Sequence, residues 1–453
     1  MAEYPSLFGT DGIRGVANQS PLVPEMIARI GFAAIKILGR DHDGPMSVVI
    51  GRDTRLSGDM IEKALIEGMT SAGAKILLAG KVPTPAVAML TRQAKARAGV
   101  VITASHNPFE DNGIKFFGAD GYKLSDETES VISDFAQTES TRRLDRSDAI
   151  VGSVERMEQP LRRYMDFARA TFPAGRSLAG LRIAVDCANG SASKSTPTVL
   201  RELGAEVHAF HVTPDGTNIN RNCGSTFPEE IARQVRETAA HVGLSHDGDA
   251  DRILFCDEGG EVLDGDVLLA IAGLDYLKRG ALVDRTIVAT VMSNFGLDET
   301  LAKAGGKVLR TSVGDRHVLS EMVKHGLNVG GEQSGHLVFR DFTTTGDGLI
   351  SALQILAILT AAKIPLSKLK HCLVRYPQAQ RNLLVKRKPP LAELSSVQKL
   401  ISETEKSLAG RGRVLLRYSG TEPKVRLLLE GPDENEINRH ADRIAAALTA
   451  EIG

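Results

Sequence analysis

"VVITASHNPFEDNGIKFFG" (Val100–Gly118) runs from an apolar, strand-like segment straight into a serine, a histidine and an asparagine, with Lys115 ten residues beyond Ser105. A short hydroxyl at the mouth of a buried strand is either a turn that caps the next helix or a nucleophile. Upstream, "EMIARIGFAAIKIL" (25–38) sets Ile27, Ile30, Ala34 and Ile37 at helical spacing, and "MSVVIG" (46–51) follows as a buried strand. Then "GDMIEKALIEGMTSAG" (58–73) predicts a helix, "AKILLAG" (74–80) a strand, "TPAVAMLTRQAKAR" (84–97) a helix and "AGVVITAS" (98–105) a strand. This βαβαβ order predicts a mostly parallel sheet with helices on both faces. Ligands of such sheets bind beyond the carboxyl ends of strands, where Ser105 falls.

The same grammar recurs in "LRIAVDCANG" (181–190), "STPTVLRELG" (195–204) and "AEVHAFHV" (205–212), and again from "GDVLLAIAGLDYLKRG" (265–280) through "LDETLAKAGGKVLRTSV" (297–313). The tail differs. "RNLLVKR", a helix from about Ser395, "RVLLRYS", "KVRLLLEG" and a last helix from Asn435 predict a small α+β domain. The expected fold is therefore α/β: three similar α/β domains with mixed, mostly parallel sheets, plus a smaller C-terminal α+β domain. The expected domains are 1–155 with the serine loop, 156–257 with a metal-binding loop, 258–370 with a sugar-recognition loop and 371–453 with a phosphate-binding loop. The basic run "VKRKPP" (385–390) reads as a solvated strand end.

Lys and Arg number 55 against 56 Asp and Glu, a formal net charge of -1. A general nucleic-acid or anionic-membrane binder carries a basic excess, so neither partner is expected. Any anion must be held by a local pocket. The cysteines Cys187, Cys223, Cys256 and Cys372 form no CxxC pair, which argues against a zinc site and a disulfide framework. The start lacks a basic segment followed by an apolar one, and "LISALQILAILTAAK" (349–363) is too short to span a bilayer. A cytoplasmic protein is expected.

Four polar loops interrupt the scaffold. "ASHNP" lacks the G-x-S-x-G of a nucleophile elbow, so an ordinary serine hydrolase is disfavoured. His106, Asn107 and Lys115 can donate to a phosphate on Ser105 or move its proton, and Pro108 stiffens the loop. In "SHDGDADRILF" the alternating Asp247, Asp249 and Asp251 would point to one side of an extended segment. Three such carboxylates repel unless a hard cation, Mg²⁺ or Ca²⁺, sits among them. An EF-hand would use Glu258 at its twelfth position, but Arg252 stands at the sixth, where glycine is required. A structural turn and a phosphatase-type aspartate nucleophile are the other readings. "GGEQSGHLVF" offers Glu332, Ser334 and His336, suited to the hydroxyls or amine of a sugar, or else forms a plain hairpin turn. "RYSGTEPKVR" gathers Arg417, Ser419, Gly420, Thr421 and Arg426, a recipe for gripping phosphate, or else a solvated turn.

In their order and over essentially the whole chain, "TASHNP", "DGDADR", "GEQSGH" and "RYSGTEP" resemble the phosphoserine, metal, sugar and phosphate loops of the α-D-phosphohexomutase superfamily. The resemblance implies four domains around a central cleft, a phosphate on Ser105 and Mg²⁺, one per active site, at Ser105, Asp247, Asp249 and Asp251. It implies reversible phosphoryl transfer between O6 and O1 of a hexose through a 1,6-bisphosphate, an intramolecular phosphotransfer. Lys115 would be general acid or base, with Arg14, His106 and Arg252 as electrostatic supports. Glu332, Ser334 and His336 would read the sugar, and the C-terminal loop would hold the non-reacting phosphate. "LFGTDGIRGVAN", "RTSVGDRHV" and "TTGDG" resemble most the bacterial phosphoglucosamine mutase branch, whose product feeds UDP-N-acetylglucosamine and cell-wall synthesis. Glucosamine or glucose 1,6-bisphosphate would then be intermediate and activator, and relatives are commonly homodimers. The alternatives are the phosphomannomutase/phosphoglucomutase branch, a metal-dependent sugar-phosphate phosphatase and a non-catalytic sensor. Tyr418 departs from the family pattern, which has lysine or proline at that place.

Overall fold

The computed structural model describes residues 6–9, 11–40, 46–138, 152–419 and 423–453. The first sheet holds β1 (Ile13–Val16), β2 (Ser47–Arg52), β3 (Lys75–Lys81), β4 (Ala98–Ile102), β5 (Asp111–Gly118) and β6 (Ser153–Arg156) in the order β1-β5-β4-β2-β3-β6. β2 pairs in parallel with both β3 and β4, whereas β5 runs antiparallel to β4 and to β1. The sheet is mixed for a local reason. The chain leaves β4 through the Ser105 loop and returns as a neighbouring strand, with no helix between. Ser105 therefore caps no helix.

Burial on both faces explains the continuous apolar runs. Val48 and Ile50 of β2, with Val100 and Ile102 of β4, pack into the core that holds Ile27, Ile30 and Leu65 from helices Pro24–Leu38 and Gly58–Ser71. The intervening Val49 and Val101 face Val87 and Leu90 of helix Thr84–Gln93 on the other side. That alternation is the strand's period of two, with each face covered. The helix expected to reach Arg97 ends at Gln93. Lys95 takes a left-handed φ of 52°, and the Ala96 N–H bonds back to the Thr91 carbonyl at 2.9 Å. No glycine marks this stop in the sequence.

The second sheet runs β11-β10-β9-β7-β8, with β7 (Arg182–Asp186), β8 (Glu206–Phe210), β9 (Val242–His246), β10 (Ile253–Asp257) and β11 (Val262–Leu263). The third runs β13-β12-β14-β15, with β12 (Thr286–Thr290), β13 (Lys307–Thr311), β14 (Val329–Gly331) and β15 (Leu337–Phe339). One apolar core continues through all three units, from Val87 and Val101 through Val185, Leu244 and Phe255 to Ile287 and Leu353. The apolar helix Gly348–Ala362 lies inside that core, and no single helix among the described residues is long and apolar enough to cross a bilayer.

The C-terminal sheet is three-stranded, β16 (Gln378–Leu384), β18 (Lys424–Glu430) and β17 (Arg413–Tyr418), all antiparallel. Helices Ser395–Leu408 and Glu434–Ile452 close it over a separate core that includes Val397, Leu427, Leu429, Ile437 and Ile444. It docks on the third unit through Asn294, whose side chain bonds the Tyr376 N–H and C=O at 2.9 Å each, and through Glu430, which accepts the Phe295 N–H at 3.1 Å.

Candidate active site

Ser105 is 1% exposed and holds a left-handed φ of 52°, a conformation that costs a non-glycine residue free energy and persists only when its surroundings enforce it. Arg55, just past β2, is the main enforcer. Its guanidinium is fully buried, is paired with Asp53 at 2.9 Å, and donates to the carbonyl oxygens of Ser105 (3.0 Å), Asn107 (2.9 Å), Asp111 (2.9 Å) and Pro108. Asn220 Nδ2 adds bonds to the Ser105 and Asn107 carbonyls at 2.8 and 3.0 Å. Thr103 Oγ1 receives the Ser105 N–H at 2.9 Å and donates to Asp53 at 2.6 Å. None of Asp53, Arg55 and Asn220 stands out in the sequence reading. The signal was the polar "GRDTR" directly after a buried strand, in a sheet whose neighbouring strand ends at Ser105.

Ser105 Oγ donates to Asp247 Oδ2 at 2.6 Å and lies 3.4 Å from His106 Nδ1. The donor oxygens of Asp247, Asp249 and Asp251 all lie within 4.8 Å of one another, and all three residues are buried. The sequence reading brought them together through an extended segment. They converge instead through a turn between β9 and β10, with Ala250 at φ 61°. Gly248 permits this: a Cβ there would come within 2.7 Å of the Ser105 carbonyl oxygen. The EF-hand reading fails in the structure as well, since Glu258 accepts from Ser367 N–H at 3.2 Å.

Burial, and then the charges of its neighbours, pushes Asp247 well above the ordinary carboxylate range. Asp251 rises for the same reasons. Burial opposes ionisation of Asp249 too, but Lys115 and the Thr84 hydroxyl (2.7 Å) outweigh it and hold Asp249 ionised. Asp249 Oδ1 and Asp251 Oδ1 are buried without hydrogen-bond partners. Crowded carboxylates with orphaned oxygens and only hard donors fit a small oxygen-loving divalent ion such as Mg²⁺.

Lys115, on β5, is 1% exposed, and its Nζ lies 2.9 Å from Asp11, 3.3 Å from Asp249 and 3.7 Å from Asp251. Burial would lower its pKa, yet these three carboxylates raise it, so the side chain is cationic at neutral pH. Asp11 is held far below its usual range: Lys115, Lys123 and Arg14 overcome the opposing effect of burial. Arg14 pairs with Asp11, and its Nη1 is buried without a partner. Burial, then Arg252, lowers His106 to about 4, so its ring is neutral at pH 7. Arg252 Nε lies 3.8 Å from Asp251 and makes no hydrogen bond.

The third unit reaches this cluster through Lys123, which pairs with both Asp11 and Asp315. Glu332, Ser334 and His336 lie on the tight connection between β14 and β15. Glu332 Oε1 accepts the Gly314 N–H at 2.8 Å, while Ser334 sits 3.4 Å from Oε2. His336 is 3% exposed, 3.7 Å from Asp315, with neither ring nitrogen hydrogen-bonded. Asp11, Lys123 and Asp315 carry no pattern of their own in the sequence, although Asp11 lies within "LFGTDGIRGVAN" and Asp315 within "RTSVGDRHV".

Arg417 and Arg426 face each other in register across β17 and β18. Burial, then Arg426, lowers the Arg417 pKa. No hydrogen bond or ion pair among the described residues joins Arg417 to the serine cluster; its Nη2 lies 4.0 Å from Met292 Sδ. Gly420 and Thr421 lie outside the described residues. Ser419 is 4% exposed, and Lys388 donates to its carbonyl at 2.9 Å. Tyr418 donates to the Pro389 carbonyl at 2.8 Å. The "VKRKPP" segment, expected to be a solvated strand end, therefore braces this loop, and Tyr418 supplies one of the braces.

Comparison with known proteins agrees with this architecture from end to end. Family models of phosphoglucomutase/phosphomannomutase match in order: α/β/α domain I over residues 5–143, domain II over 162–260, domain III over 264–376 and the C-terminal domain over 381–447. The phosphoglucosamine mutase of Syntrophotalea carbinolica is 49% identical over 447 residues, which cover 99% of this chain and 98% of that one. Among solved structures, a phosphoglucomutase/phosphomannomutase family protein of Burkholderia thailandensis superposes with a TM-score of 0.81 at 24% identity, covering 98% and 97% of the two chains. N-acetylphosphoglucosamine mutase of Aspergillus fumigatus, in complex with GlcNAc-6P and magnesium, gives 0.68 at 19% identity, covering 97% and 95%. With four domain matches in sequence order and a near half-identical relative along almost its full length, the chain belongs to the phosphoglucomutase/phosphomannomutase family, the α-D-phosphohexomutase superfamily, and resembles most its bacterial phosphoglucosamine mutases.

Proposed function

We propose that this chain is a phosphoglucosamine mutase, an isomerase that interconverts glucosamine 6-phosphate and glucosamine 1-phosphate through a phosphorylated Ser105 and a sugar 1,6-bisphosphate. The observation that carries the reading is the buried Ser105 hydroxyl bonded to Asp247 beside three crowded carboxylates and Lys115. That cluster sits in a chain about half identical to phosphoglucosamine mutases. Mg²⁺ held by Asp247, Asp249, Asp251 and the Ser105 oxygen or its phosphate would neutralise charge on the transferred phosphoryl group.

The chain's own residues supply the rest. Ser105 Oγ carries the phosphoryl group, and the strained loop held by Arg55 and Asn220 fixes its aim. Lys115, cationic as it stands, can give a proton to the reacting sugar oxygen and take it back in the reverse transfer, and Asp11 and Asp249 hold it there. Arg14 and Arg252, each with an unpaired buried nitrogen, have donors to spare for phosphate oxygens. Neutral His106 donates or accepts at Ser105 without adding a competing cation. Glu332 keeps Oε2 loosely engaged, free to pair with the sugar's amine or hydroxyls, with Ser334 and His336 beside it. Arg417, Ser419, Gly420, Thr421 and Arg426 grip the phosphate that is not reacting. Because one grip must serve both ends of the bisphosphate, the intermediate turns over between the two transfers.

The test is kcat/KM for glucosamine, glucose and mannose 6-phosphates under one activation protocol, with the 1,6-bisphosphate present, Ser105→Ala as control and free phosphate followed in parallel. Glucosamine 6-phosphate should be preferred, phosphate release negligible and the alanine variant inactive. Preference for glucose or mannose phosphate would overturn the substrate assignment. Stoichiometric phosphate release, or turnover by Ser105→Ala, would overturn the mutase mechanism.

A further inference from the structure

A second group of potential ligands lies at the carboxyl ends of β7 and β8 and shares no residue with the Asp247 cluster. Asp186 ends β7, His211 follows β8, and Cys223 comes from the loop before helix Pro228–Thr238. One ligand atom of each lies within 4.8 Å of the others. Asp186 and Cys223 are fully buried, and none of the four cysteines is in a disulfide. Asp186 is oriented by the N–H groups of Ala188 (2.9 Å) and Gly224 (3.0 Å), which also ties the Cys223 loop to the strand end. His211 Nδ1 is 3.1 Å from Asp186 Oδ2, yet this buried nitrogen makes no well-formed hydrogen bond. Across the ring, Nε2 faces Glu230 Oε1 at 3.9 Å. The backbone here is held in unusual conformations, with left-handed φ at Ala188, Asn189, His211, Asn220 and Asn222. Strained residues of this kind persist only where their surroundings hold them in place.

We propose that Asp186, His211 and Cys223 form a second metal site, selective for a thiophilic transition ion, with Zn²⁺ as its natural occupant. The donor set is one sulfur, one nitrogen and one oxygen, which suits zinc and not Mg²⁺. In a tetrahedral site, bonds of about 2.0–2.3 Å put ligand atoms about 3.3–3.6 Å apart. The His211–Asp186 separation of 3.1 Å is a few tenths of an ångström short of that, and with all three ligand atoms within 4.8 Å of one another the Cys223 loop need close by at most about 1.5 Å. Glu230 is placed to orient the far nitrogen of the ligating imidazole, the carboxylate–histidine–metal arrangement common around zinc. A solvent molecule takes the fourth position on the half-exposed His211 side. Binding replaces the thiol proton, which is released to solvent as the sulfur–metal bond forms. Asn220, three residues before Cys223, holds the Ser105 carbonyl, so the ion would brace the nucleophile loop from behind.

The full-length protein, stripped with chelator and then saturated with Mg²⁺ to fill the oxygen site, is titrated with Co²⁺ and back-titrated with Zn²⁺. A near-ultraviolet thiolate-to-cobalt band should grow to one Co²⁺ per chain and be displaced by Zn²⁺. Cys223→Ser should abolish it, His211→Gln should weaken it about tenfold or more, and Cys372→Ser should leave it intact. Absence of the band, or a band unchanged in Cys223→Ser, overturns the proposal and leaves a plain Asp186–His211 ion pair. If Cys223→Ser fails to fold, His211→Gln decides: unchanged Co²⁺ affinity in that variant overturns the site. The band reports sulfur ligation alone, so failure of the mutase assignment would leave this result untouched.

Discussion

Replacing Arg55 with lysine separates aim from charge at Ser105, the proposed nucleophile. Lysine keeps a cation for the buried Asp53 but cannot fan out to the carbonyls of Ser105, Asn107, Pro108 and Asp111 at once. Asn220 still holds two of those carbonyls, so the loop loosens rather than collapses. Losing charge-assisted bonds of this kind costs about 1.5–3 kcal/mol. Over a domain of this size that lowers the melting temperature by roughly 3–12 °C. The larger effect falls on turnover, because a displacement of about 1 Å at a reacting atom costs about a hundredfold in rate. The expected outcome of Arg55→Lys is therefore a folded enzyme with kcat down by about two orders of magnitude and KM changed little. Arg55→Ala, which strands Asp53 as an unpaired buried charge, should lose about 3–5 kcal/mol of stability. Steady-state kinetics, with thermal unfolding and intact mass to follow Ser105 phosphorylation, gives all the readouts. A folded Arg55→Lys variant with wild-type kcat would refute the idea that the guanidinium aims the serine.

Chelation should abolish turnover, and Mg²⁺ should restore it better than Zn²⁺, since Asp247, Asp249 and Asp251 offer only oxygen; full activity in a preparation shown metal-free by elemental analysis would contradict this. Arg417→Ala and Arg426→Ala should each raise KM about ten- to a hundredfold with a smaller effect on kcat, as expected for residues gripping the non-reacting phosphate; unchanged KM in both would place that phosphate elsewhere. Asp347 caps helix Gly348–Ala362, and burial raises its pKa to about 6 despite bonds from Ile350 N–H and the Tyr164 hydroxyl. The folded state therefore holds its proton more tightly than the unfolded state. That contribution to stability is full below about 4 and is lost as pH rises through about 6, a swing of up to about 3 kcal/mol. Asp347→Asn keeps the cap acceptor, so the difference between variant and wild-type stability should shift in the variant's favour between pH 4 and 7; parallel curves would refute the assignment.

The parts of the molecule legible in the sequence are those where local pattern and global role coincide. β2 and β4 are buried on both faces, so their apolar runs announce them. Ser105, Asp247, Asp249 and Asp251 stand out because polar residues interrupt such runs at strand ends. Arg55 stayed hidden because its function lies in distance and not in spacing: it acts across fifty residues of sequence on backbone oxygens, which carry no side-chain signature. Convergence of the three aspartates was foreseen for the wrong reason, since a turn opened by Gly248 does what strand alternation was expected to do. Asp186, His211 and Cys223 carry no closely spaced ligand pattern because a strand end and two separate loops supply one each.

Lys123 shows how these separately legible loops become one site. It is buried between Asp11 of the first unit and Asp315 of the third, and burial alone would push its pKa down; the two carboxylates reverse that and raise it. The next residue after Asp315, Arg316, pairs with Glu129 at 2.8 Å and with Asp126, both on the helix Asp126–Gln137 of the first unit. The segment carrying Asp315 and Arg316 also presents the Gly314 N–H that fixes Glu332. Charge pairing between the first and third units thus sets the position of the sugar-loop carboxylate relative to Lys115. Lys115 lies on β5 of the first sheet and Glu332 on the loop after β14, yet each is tied through Gly314, Asp315, Lys123 and Asp11 to the same short chain of contacts. On the proposed roles, a sugar held by Glu332 would be referenced to the residue that would move its proton, so that specificity and chemistry would share one electrostatic frame.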